Sequence, residues 1–110
     1  MHNGAVHYHW GDGCEGWVLV DSPELSVKQE RMPPGSAELL HYHEKAQQFF
    51  YILQGSAVFE VEGKGVTVNA GEGFHIAAGL KHRIINQAAV ALEFVLSSQP
   101  STNNDRYNWT

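Results

Sequence analysis

The chain has 110 residues, 43% of them hydrophobic and 17% charged, which is too apolar and too weakly charged for a disordered segment, so about one folded domain is expected. Its formal net charge is −5 with no basic cluster, so the electrostatic footprint that holds a phosphate backbone is missing and no nucleic-acid partner is expected. Cys14 is the only cysteine, the start Met1-His2-Asn3-Gly4 lacks the basic and apolar stretches of a signal peptide, and no apolar run is long enough to cross a bilayer; the reading is a soluble cytoplasmic protein with no disulfide and no membrane partner.

Residues 5–10 alternate in an extended manner and carry a His7-Tyr8-His9 tripeptide, read as a solvent-edge strand with incidental histidines because no glutamine or carboxylate follows at the matching offset. Gly11-Asp12-Gly13 is a turn. Residues 16–21 and 25–32 read as the next strands, broken by Ser22-Pro23, and the second has polar groups on both faces, so its inward face stays open. Pro33-Pro34-Gly35 ends it, since proline cannot donate to a ladder. Residues 37–43 resume extension and put Leu39, His41 and His43 on one face; residues 49–53 return, with Gln48, Phe50 and Ile52 sharing a parity. Strands at 57–61 and 65–69 flank a turn at Glu62-Gly63-Lys64, those at 74–77 and 82–86 flank a bend at Gly79, and residues 90–98 are the last strand. About ten short strands without helical periodicity predict an all-β antiparallel sandwich or barrel in a single domain over 1–110, with a core over about 5–98 and a polar surface tail over 99–110.

Two imidazoles one residue apart point the same way on an extended backbone, so His41 and His43 can grip one ion. A returning strand brings Gln48 beside them, and His82 supplies a third imidazole from downstream. Gln47 is the alternative to Gln48, which parity with Phe50 and Ile52 favours. Three imidazole nitrogens and an amide oxygen suit Fe, Co, Ni, Cu or Zn as divalent ions, and Mn at lower affinity. Gln48 is neutral where a glutamate would cancel part of the charge, so the ion keeps its full strength as a Lewis acid and should draw in an anionic oxygen ligand. His75, between Phe74 and Ile76, is read as a structural or supporting histidine.

The same residues resemble the two motifs of the cupins. Gly35, His41, His43, Gln48 and Gly55 stand at the offsets of the first, with glutamine for the usual glutamate. Gly71, Ala77, Gly79, His82 and Asn86 stand at those of the second, with alanine for the usual proline. The resemblance implies a double-stranded β-helix, or jelly-roll barrel, with a metal held by His41, His43, Gln48 and His82, and a homodimer. The ligand set is similar to that of pectin-degradation cupins that open the ring of unsaturated uronates, although no carboxylate or arginine follows the last strand until Asp105-Arg106, a pair read as part of the solvated tail. The functional expectation is a metal-assisted isomerase or lyase for a small carbohydrate-derived acid or carbonyl compound, with His75, Glu93, Asp105 or Arg106 as candidates to handle protons or substrate charge. The alternatives are a metal-dependent dioxygenase acting on an enol or diketone and a non-catalytic domain that binds a small molecule.

Overall fold

Short aromatic and β-branched runs with period-two burial, cut by turn glycines, build a sandwich of antiparallel sheets, and the computed structural model describes it over residues 5–109. The strands are β1 (Val6–Trp10), β2 (Cys14–Asp21), β3 (Ser26–Met32), β4 (His41–Tyr42), β5 (Gln47–Gln54), β6 (Ser56–Val61), β7 (Lys64–Asn69), β8 (Gly73–Ile76), β9 (His82–Ile85), β10 (Leu92–Gln99) and β11 (Tyr107–Asn108). One sheet runs β1-β2-β3-β10-β5-β8 and the other β11-β4-β9-β6-β7. Among the described residues, no helix is long and apolar enough to cross a membrane.

Register explains why one end of the interior is greasy and the other polar. Directly opposed residues share a face, so successive rungs of the six-stranded sheet can be read inward. Met32 lies opposite Leu92; Glu30 opposite Phe94, which faces Ile52; Lys28 opposite Leu96, which faces Phe50; and Ser26 opposite Ser98, which faces Gln48. This settles the open face of β3: Lys28, Glu30 and Met32 point into the sandwich. At the apolar end, Phe59, Ile84 and Ala57 of the second sheet meet Phe50, Ile52, Leu92 and Phe94 in a single buried cluster. Phe50 stands edge-on to Phe59 at 4.8 Å. Fully burying a side chain of this size contributes roughly 1.5–3 kcal/mol.

Two glycines are set by close approach. Gly55 turns β5 into β6 at φ +85°, and a Cβ there would lie 2.8 Å from the Ala91 carbonyl oxygen. Gly16 lies between Tyr8 and Glu30 on adjacent strands, and the Tyr8 ring crosses over it so closely that any Cβ would collide with the ring. The Tyr8 hydroxyl thereby reaches Glu30, to whose carboxylate it donates.

The structure departs from expectation in two places. Residues 37–43 do not form one strand: only His41–Tyr42 is regular, Ala37 makes a lone bridge to Ile85, and Leu39 is 68% exposed instead of sharing the face of His41 and His43. The Leu39 carbonyl bonds the His41 ring instead of a neighbouring strand. The segment after residue 99 is not a solvated tail. Tyr107 and Asn108 pair with Tyr42 and His41, the Trp109 N–H donates to the Leu40 carbonyl, and Asp105 is buried, so an eleventh strand seals the edge of the second sheet beside the histidines.

Candidate metal centre

His41 and His82 are directly opposed on β4 and β9, so both side chains point inward, with ring centroids 4.4 Å apart. His43, two residues beyond His41, joins them with its centroid 5.0 Å from that of His41 and 5.5 Å from that of His82. All three are buried, and one donor nitrogen from each lies within 4.8 Å of the others. Gln48 reaches across from β5 in the facing sheet; its Oε1 is 3.1 Å from His82 Nε2 and its Nε2 donates to Ser98 Oγ at 3.0 Å. The structure thus brings His41, His43, Gln48 and His82 together. Gln47 points to the outer face, where it bonds His75 and Gln99. His75 is exposed there and supports none of the three inner histidines.

The backbone fixes how each ring presents itself. His41 Nδ1 lies 2.7 Å from the Leu39 carbonyl, His82 Nδ1 2.8 Å from that of Leu80, and His43 Nδ1 2.6 Å from that of Asp105. A carbonyl can only accept, so each Nδ1 carries the proton and each Nε2 is left with a free lone pair. Among the described residues, His43 Nε2 is buried without any hydrogen-bond partner. His82 Nε2 faces the Gln48 oxygen, an acceptor opposite an acceptor that a cation between them would satisfy and that otherwise requires the amide to turn over. An orphaned nitrogen and three free lone pairs on neighbouring rings, with one donor nitrogen of each within 4.8 Å of the others, fit a metal ion.

Burial keeps these rings neutral. It lowers the pKa of His41 from 6.5 to about 3 and that of His82 to about 4, in both cases against the backbone acceptor that holds Nδ1–H, and it lowers that of His43 as well. No proton therefore competes for the lone pairs near neutrality.

A cavity of about 160 Å3 opens over the histidines, lined by Glu30, Glu38, Lys28, Thr102 and Arg106 among others. Glu38 Oε2 lies 3.9 Å from His41 Nε2 and 3.5 Å from Arg106 Nη1. Burial raises the Glu38 pKa to about 7, partly offset by Arg106. Asp105 acts from beneath: its carboxylate accepts the N–H groups of Glu44, Lys45 and Ala46 at 2.8–3.0 Å while its carbonyl takes the His43 ring. Burial works against the Asp105 charge, but the three N–H groups and His43 outweigh it and hold the carboxyl below its ordinary range. Of the four groups expected to handle protons or charge, only Arg106 lines this cavity. Glu38 is an addition, and no local pattern marks it.

The second motif also has a structural reason. Asn86 is fully buried; its amide donates to the carbonyls of Met32 and Val90 and its oxygen accepts the Ala88 N–H, so it staples a turn. The family model for the cupin domain matches residues 28–97, more than half of the chain. The chain belongs to the cupin family. This cupin is 40% identical over 65 residues to the oxalate-binding protein of Thermotoga maritima, a match covering 59% of the chain and 54% of that protein. It is 30% identical over 69 residues to the tetracenomycin polyketide synthase protein TcmJ of Streptomyces glaucescens, covering 63% and 46%. The matches therefore span about half the length of these curated relatives. Among solved structures, a predicted oxalate decarboxylase from Thermotoga maritima superposes with a TM-score of 0.83 at 25% identity, covering 92% of this chain and 97% of the other. An RmlC-like cupin from Shewanella frigidimarina gives 0.82 at 18% identity, which speaks for the fold alone.

Proposed function

We propose that this cupin holds a divalent transition metal on His41, His43 and His82 with Gln48 as fourth ligand, and uses it to bind a small carboxylate anion. The observation that carries the proposal is the set of three neutral imidazoles with one donor nitrogen of each within 4.8 Å of the others, while each Nδ1–H is tied to a backbone carbonyl. When bound, the metal would supply a full positive charge at the cavity floor, since no anionic ligand lies in the set. The protein adds Arg106 and Lys28 around a space of about 160 Å3, which suits an anion of a few heavy atoms rather than a sugar chain. The likeness to an oxalate-binding protein supports a short dicarboxylate. Calorimetric titration of metal-loaded protein with oxalate is expected to show saturable binding that disappears in His82→Ala. Equal binding by metal-stripped and loaded protein would overturn the reading.

One observation favours proton transfer at the same site, as in an isomerase or lyase acting on a small acid or carbonyl compound. Glu38, whose pKa lies at about 7, faces the cavity beside His41 and is poised to exchange a proton near neutrality. A bound 2-oxo acid would then exchange its C3 hydrogen for deuterium in the native protein and not in Glu38→Gln; identical exchange in both removes this role. The assembly we propose is a homodimer joined through the outer face of β5, where Phe49, Tyr51 and Leu53 are 41–45% exposed. Light scattering at the monomer mass would exclude it.

A further inference from the structure

A second group of possible ligands lies outside the barrel, on the hairpin of β1 and β2. The turn Gly11-Asp12-Gly13 holds the two strands in a register that sets His9 opposite Glu15 and His7 opposite Trp17. His7 and His9 share the outer face by strand alternation, and Glu15 shares it because it is the direct partner of His9. The ring centroids of the two histidines are 4.8 Å apart, and one donor atom from each of His7, His9 and Glu15 lies within 4.8 Å of the others. The His7 ring is stacked on Trp17 at 5.1 Å and its Nε2 is 2.9 Å from Glu15 Oε1, so its position is already fixed. His9 is exposed on the outer face of the hairpin. The hydrogen bond from His7, with Arg31 nearby, lowers the Glu15 pKa, which keeps it an anion.

We propose that His7, His9 and Glu15 form a second, solvent-exposed site for a divalent transition ion such as Zn(II), Ni(II) or Cu(II). Two imidazoles and one carboxylate on a flat strand pair suit these ions and occupy one side of the coordination sphere, leaving the other side open to water or to an outside ligand. Entry of the ion replaces the His7–Glu15 hydrogen bond by a bond from each residue to the metal, the imidazole proton moving to Nδ1. The site differs in kind from the buried one: it carries a negative ligand, its ligands stand in water, and Arg31, 3.6 Å from the other Glu15 oxygen, opposes the cation, so it binds more weakly. The carboxylate that completes it comes from the next strand, which is why the spacing after His9 gave no hint of it.

Equilibrium dialysis with Zn(II) tests this in the whole chain. Wild type is expected to hold one equivalent more than the His7→Ala/His9→Ala variant, with Zn(II) shifting the ring resonances of His7 and His9 in wild type. Both substitutions are on an exposed strand face, so the variant keeps the fold, which its circular dichroism verifies. The difference of one equivalent must also appear between His82→Ala and the triple variant His7→Ala/His9→Ala/His82→Ala, so loss of the buried site leaves the test intact. Equal Zn(II) content in wild type and the double variant, or His7 and His9 resonances unmoved by Zn(II), would overturn the proposal.

Discussion

Asp105 does two jobs with two different groups. Its carboxylate collects three N–H groups of the loop that leads into β5, and its carbonyl fixes the His43 tautomer. Removing the carboxylate leaves the buried Ala46 N–H without a partner, a loss on the order of 1–3 kcal/mol, while the part-buried Glu44 and Lys45 N–H groups can turn to water at smaller cost. Asp105→Ala is therefore expected to lose about 2 kcal/mol of stability in urea unfolding, after partial relaxation of the loop. Because the carbonyl survives the substitution, His43 keeps its acceptor. Loss below about 0.5 kcal/mol would show that the loop N–H groups find other partners.

At the level of elements, the six-stranded sheet is locked by a side chain crossing a glycine. Tyr8 reaches Glu30 over Gly16, a contact between three adjacent strands that pins β1 to the cavity wall. Gly16→Val inserts atoms where the ring lies and is expected to cost about 1–3 kcal/mol. In a chain that also carries Tyr8→Ala the collision vanishes and valine suits a strand, so the double variant should be more stable than the sum of the single losses predicts. Strict additivity in chemical denaturation would mean that Tyr8 and Gly16 do not meet. The exposed eleventh strand is a complementary lock: Tyr107 stacks on Tyr42 at 5.2 Å, and Lys81 Nζ sits 3.4 Å from the centre of the Trp109 ring.

Across the whole molecule, buried titratable groups tie stability to pH. His41, His43 and His82 have pKa values lowered by burial, so between about pH 6.5 and 4 the unfolded chain takes up protons that the folded chain refuses. Their contribution is complete above that window and falls as pH falls through it. Burial raises the pKa of Glu38 and of Glu30, and these have the opposite sign: their contribution is present below the ordinary carboxylate value and declines as pH rises. Three imidazoles against two carboxyls leave a net decline toward acid. Metal-free protein is expected to unfold at lower urea concentration at about pH 5 than at about pH 7, and an unchanged midpoint would contradict the neutral, buried state of the rings.

What could be read in the sequence follows the range over which the physics acts. The parity of His41 with His43, the inward placement of Gln48 and outward placement of Gln47, and the turn glycines are consequences of strand alternation and local backbone freedom, and all are legible in the sequence. Alternation misplaces Leu39 because residues 37–40 form no regular strand, a break that no local pattern in the sequence marks. Asp105, Glu15 and Tyr8 acquire their partners through register between separate strands or segments. Polar composition marks residues 99–110 as a surface tail equally well whether or not Asp105 has somewhere to go.

The carbonyl that orients His43 also carries a consequence for how the protein is made. His43 and Asp105 are 62 positions apart, and at typical translation speeds of 5–20 residues per second the imidazole is synthesised roughly 3–12 s before its acceptor exists. During that interval the ring turns freely and either nitrogen can carry the proton. Capture of an ion by the nascent chain would meet two rings that can already be oriented by carbonyls two residues upstream of them, and a third that cannot. The segment that carries Asp105 is made after both other rings have their acceptors, so the third ring of the pocket is fixed only once that segment has been synthesised.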